Sequence, residues 1–156
     1  MNLRLYTDGA CSRNGQAGAI GGWAYAIINE QDEVLFSNKG RVENSTNQQM
    51  ELTALINGIH AVVHTLGNFF SCRCYSDSAY CINAINDGWI EKWRRNGWQT
   101  SAKTDVKNQE LWRALYALYN GEDRLTFIKV KGHTGDKWNT YVDTMAVNAK
   151  DGRYEF

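Results

Sequence analysis

The chain has 156 residues, enough to bury one substantial core and too few for two. Seventeen basic and 17 acidic side chains cancel to a net charge of zero, which excludes the broad positive surface of a general polyanion binder and leaves room only for a local nucleic-acid footprint. The apolar runs are strand-sized and broken by charges, and Met1 leads directly into a strand-like segment. The expectation is a single domain over 1–156, cytoplasmic, monomeric and away from membranes.

Cys11, Cys72, Cys74 and Cys81 show neither CxxC spacing nor a histidine cluster, so they read as reduced, mostly buried thiols rather than a zinc site or a disulfide frame. Proline is absent, and turns must rest on Gly, Asn, Asp and Ser.

Leu3, Leu5 and Thr7 alternate with Arg4, Tyr6 and Asp8, a period of two that predicts a strand ending near a turn at Gly9. Residues 20–29 and 33–42 read as a hairpin, with Trp23, Tyr25 and Ile27 on one face. Ser45 with Gln48, or Thr46 with Gln49, offers a capping box ahead of the helical stripe Leu55, Ile59, Val62 and Leu66. A short strand over 71–76 follows, then helices over 78–86 and 89–95 and a polar loop over 96–107. Gly88 to Lys107 holds Lys92, Arg94, Arg95, Lys103 and Lys107 against Glu91 and Asp105, a local net charge of +3. Leu111, Leu115 and Leu118 mark another helix, Leu125 to Val130 a fifth strand, and Trp138, Val142, Met145 and Ala149 a closing helix. The order βββαβαααβα predicts an α/β fold with a mixed sheet, in which the strands joined through helices can run parallel.

Two segments repeat one pattern: Tyr6-Thr7-Asp8-Gly9-Ala10 and Tyr75-Ser76-Asp77-Ser78-Ala79. Each puts an Asp at the carboxyl end of a strand, and parallel neighbours would set Asp8 and Asp77 side by side in the crevice where α/β sheets bind ligands. An Asp there can also simply cap the next turn or helix. Glu51, four residues before Leu55, falls on the apolar stripe, where an unpaired carboxylate is costly, unless it sits at the stripe's edge in the first turn. Asp143 lies beside the core position Val142. Carboxylates converging in this way repel one another unless a cation lies between them, and an oxygen-only donor set selects magnesium or manganese over zinc.

The blocks Tyr6-Thr-Asp-Gly-Ala-Cys11, Thr46-Asn-Gln-Gln-Met-Glu-Leu52, Tyr75-Ser-Asp-Ser78, Val130-Lys-Gly-His-Thr-Gly135 and Asn139-Thr-Tyr-Val-Asp143 resemble, in order and spacing, the successive signatures of type-1 ribonuclease H. The stretch from about 88 to 108 resembles the basic protrusion, or handle, of that family's bacterial branch. The resemblance implies a ribonuclease H-like fold, a five-stranded mixed sheet flanked by helices. It also implies an endonuclease that cuts the RNA strand of RNA·DNA hybrids and leaves 5′-phosphate and 3′-hydroxyl ends. The implied chemistry uses two Mg2+ or Mn2+ ions held by Asp8, Glu51, Asp77 and Asp143, with His133 assisting proton transfer or product release. Thr46, Asn14 and Asn47 would serve strand recognition, Gln49 would read 2′-hydroxyls, and Lys92, Arg94 and Arg95 would meet phosphates. Trp89 and Trp93 would either stack on sugars or pack the handle onto the body. The chain departs from the family pattern at residues 13–22, longer than the usual turn, at Ala79, where Gln is common, and at Thr140, where Glu is common.

Overall fold

The computed structural model describes residues 1–69, 71–131 and 136–152. Five strands, β1 (Asn2–Ser12), β2 (Ile20–Ile28), β3 (Val34–Glu43), β4 (Ser71–Ser76) and β5 (Leu125–Lys129), form one sheet in the order β3-β2-β1-β4-β5. The β1–β2 and β2–β3 pairs are antiparallel, and β1–β4 and β4–β5 are parallel, so the sheet is mixed as expected. Among the described residues five α-helices accompany it: α1 (Asn47–His60), α2 (Ala79–Asn86), α3 (Trp89–Arg95), α4 (Gln109–Tyr119) and α5 (Lys137–Lys150).

The alternation of β1 sorts its side chains between two cores. Leu3 and Leu5 join Leu52, Leu55, Ile59, Trp112 and Leu115 on the face covered by α1, on which α4 packs. Tyr6 joins Ala24, Ala26, Trp138, Val142 and Ala146 on the face covered by α5. The burial of these fully enclosed aliphatic and aromatic groups is the main stabilising contribution, about 1.5–3 kcal/mol for each large side chain.

Two features differ from the expectation. β1 does not stop near Gly9 but runs to Ser12, because residues 8 to 12 stay paired with β2, Asp8 with Ala24 and Gly9 with Trp23. The parallel ladder with β4 ends earlier, at Tyr6 and Tyr75, whose rings stack with centroids 4.7 Å apart. The apolar stripe of α1 also does not continue as α-helix to Leu66. It passes into a π-helical turn over Ala61–Thr65, closed by a bond from Leu66 N–H to Ala61 C=O at 3.1 Å.

Of the overlapping capping alternatives, Thr46 is the N-cap of α1, accepting from Gln49 N–H at 3.1 Å. All four cysteines are free; Cys72, Cys74 and Cys81 are buried, Cys11 partly so, and burial pushes the Cys81 thiol up to about 12.

Candidate active site

Asp8 and Asp77 lie just beyond the last parallel rung of β1 and β4, each two residues past its stacked tyrosine. Asp77 does not cap α2, since Ser78 does so, accepting from Cys81 N–H at 3.2 Å. Glu51 arrives from the first turns of α1 through a close backbone approach: a Cβ built on Gly9 would stand 2.5 Å from the Glu51 amide nitrogen and 2.6 Å from the Met50 carbonyl carbon. Only glycine admits that contact, and the contact fixes where Glu51 projects.

The result is a cluster in which Asp8, Glu51 and Asp77 each offer a carboxylate oxygen, all within 4.8 Å of one another. Asp8 is buried, at 3 % exposure, and its carboxyl is pushed up to about 8, first by burial and then by the charges of Asp77 and Asp143; the Gly9 N–H, which donates to Asp8 Oδ1 at 2.9 Å, opposes the shift. The Glu51 carboxyl is held well above its usual range by burial first and by Asp8 and Asp77 next. Glu51 Oε2 is sealed from solvent and has no hydrogen-bond partner among the described residues. Asp143, exposed on α5, borders the cluster on the Asp8 side without belonging to its tight core.

These residues fit a hard divalent cation. A sealed carboxylate oxygen without a donor, beside two further carboxylates, is an arrangement whose ionised form needs a positive charge. The donor set is oxygen alone, with no described Cys or His in the cluster, which suits magnesium or manganese.

Around the cluster the sequence-derived candidates separate into groups. Asn14 Oδ1 accepts from Asn47 N–H at 2.8 Å, so the β1–β2 connection braces the start of α1. Asn14, Thr46 and Asn47 line a polar cleft together with Gln48 and Lys107, two residues to which sequence reasoning gave no part in recognition. Lys107 sits in the basic stretch and could have been drawn from it. Gln49 has both ends of its amide engaged within the protein, Oε1 by Ser45 Oγ at 3.3 Å and Nε2 on Asn108 Oδ1 at 3.3 Å.

The two handle tryptophans differ in their surroundings. Trp93 meets Trp112 edge to face, with centroids 5.4 Å apart, and packs against the core. Trp89 is 46 % exposed, with Lys92 Nζ 5.3 Å from its ring centre. Arg94 and Arg95 both turn to Glu91, at 2.7 and 3.3 Å, and Tyr116 Oη donates to the same carboxylate at 2.6 Å. His133 lies outside the described residues.

A family model described as RNase H matches residues 1–151. Ribonuclease H of Syntrophomonas wolfei is 46 % identical over 147 residues, covering 93 % of each chain. Ribonuclease H of Wolbachia sp. subsp. Drosophila simulans is 46 % identical over 149 residues, covering 94 % of each. Among solved structures, LC9-RNase H1, a type 1 RNase H with the type 2 active-site motif, superposes with a TM-score of 0.81 at 25 % identity over 97 % of this chain and 73 % of that one.

Proposed function

The chain belongs to the RNase H family, metal-dependent endonucleases that cut RNA within RNA·DNA hybrids, and on that premise we propose the reaction and the residues by which it acts. It hydrolyses the RNA strand of a hybrid, leaving 5′-phosphate and 3′-hydroxyl ends, as a single-domain cytoplasmic monomer over residues 1–156.

The observation that carries this reading is the sealed, unpartnered Glu51 Oε2 beside an Asp8 carboxyl pushed up to about 8. Asp8, Glu51 and Asp77, with Asp143 at the rim, would hold two magnesium ions, or manganese in their place. Such ions would supply activation of the attacking water and charge relief at the leaving 3′ oxygen. The protein's own contribution is to fix the carboxylates: Gly9 sets Glu51 against β1, the end of the parallel ladder sets Asp8 beside Asp77, and the buried Val142 anchors the turn that carries Asp143. His133 would assist proton transfer.

For the substrate, the polar cleft of Asn14, Thr46, Asn47, Gln48 and Lys107 can take backbone phosphate, and Gln49, already held by Ser45 and Asn108, can present its amide toward the RNA minor groove. The handle, residues 88–108, adds Trp89 and Lys92 as a sugar-stacking and phosphate-facing pair, and Arg94 and Arg95 contribute positive potential tempered by Glu91. Cleavage of an end-labelled hybrid with and without magnesium, beside duplex DNA and duplex RNA, tests the assignment. RNA products ending in 2′,3′-cyclic phosphate would show the 2′-hydroxyl attacking and overturn it, and gel filtration tests the monomer.

A further inference from the structure

At the far end of α1 from Glu51 stand His60 and His64, both exposed. They straddle the entry to the π-helical turn, and their rings lie with centroids 4.6 Å apart at an interplanar angle of 39°. Residues four apart on a helix share a face, and two histidines so spaced can bind one metal ion together. With a metal–nitrogen bond of about 2.1 Å and each ring centre about 1 Å behind its nitrogen, two imidazoles on one ion have centroids about 4.5–5 Å apart. The pair already stands at that separation.

The geometry points to a second metal site, a two-histidine chelate for a borderline divalent ion such as zinc, nickel or copper, separate from the carboxylate cluster. The two sites differ in donor chemistry: imidazole nitrogen selects zinc, nickel and copper, whereas the carboxylates select magnesium and manganese. They also differ in place, since nine residue steps along the helix lead from Glu51 to His60, about 14 Å along the axis. Waters would complete the coordination, because both rings face solvent. An ion held there staples the last turn of α1 to the π turn, and because the unfolded chain does not hold the two rings together, binding favours the folded state.

The test is a titration of the whole chain with zinc chloride in excess magnesium, comparing the parent with His60→Ala, His64→Ala and Asp77→Asn. The parent should take up one zinc ion that each histidine variant binds on the order of a hundredfold more weakly, since loss of one imidazole removes an intramolecular second contact. Asp77→Asn should keep that ion. Zinc should raise the melting temperature of the parent more than that of either histidine variant, while in chelator all four proteins give the same helical circular dichroism. Equal zinc binding by the parent and His64→Ala, or loss of the ion in Asp77→Asn but not in the histidine variants, would overturn the site.

Discussion

The Cα of Gly9 and the amide nitrogen of Glu51 approach so closely that a methyl group on the glycine would lie 2.5 Å from that nitrogen. Gly9 is mid-strand, paired with Trp23, and its need for glycine comes from this close approach of the Met50–Glu51 segment. Gly9→Ala must therefore push α1 off β1. We expect a destabilisation of about 3 kcal/mol or more, at or beyond the upper end for overpacking because the obstacle is backbone, together with loss of cleavage. Urea unfolding and the hybrid assay check both, and a stable, active variant would refute the account of how Glu51 is placed.

Asp77 raises the cost of ionising both Asp8 and Glu51, and it does not cap α2. Asp77→Asn should abolish cleavage, yet leave the metal-free protein at least as stable as the parent, since one repelling charge is removed without opening a cavity. Activity and stability should then move apart, as at sites shaped for function at the expense of stability. Thermal melts in chelator paired with cleavage in magnesium decide the point; a variant that melts well below the parent contradicts it.

The raised carboxyls also set a pH dependence. In the folded, metal-free protein Asp8 is pushed up to about 8 from the usual 3.8, so between about pH 4 and 8 the folded state binds more protons than the unfolded one. The contribution of Asp8 to stability in chelator is present in full below about pH 4 and is lost as the pH rises through about 8, with Glu51 acting in the same direction. Glu91, held down to about 2 by Arg94 first and then Tyr116, and Asp32, held low by Trp138, Arg4 and Lys137, lose their contributions only at more acid pH. Denaturant melts at pH 5 and pH 8 should show the parent weaker at pH 8, and Asp8→Asn should flatten that slope.

In the handle, Lys92 and the two arginines should behave differently. Lys92→Ala should weaken hybrid binding and reduce its salt slope by up to about 0.9, the value of one phosphate contact. Arg94→Ala and Arg95→Ala remove guanidinium groups already committed to Glu91, and each should change the slope less and stability little, since solvent screens an exposed ion pair. Binding isotherms across a salt series separate the three, and an unchanged slope for Lys92→Ala would place the Trp89–Lys92 pair away from the nucleic acid.

The sequence by itself determined the element order, the mixed sheet, the two Tyr-x-Asp strand ends and the conflict of Glu51 with its apolar stripe, because each is written in local alternation, helical period or motif spacing. Those patterns depend on near neighbours in the chain, and so they survive without coordinates. Tertiary structure alone decided that β1 continues past Asp8 to Ser12, since that length is set by pairing with a β2 partner some 16 residues away, Asp8 with Ala24. It alone decided that α1 widens into a π turn, that Tyr116 joins the two arginines on Glu91, and that Trp93 turns inward while Trp89 stays out. A one-dimensional pattern records which residues carry charge or rings, but which of several nearby partners each one meets depends on distances that only the packed chain sets.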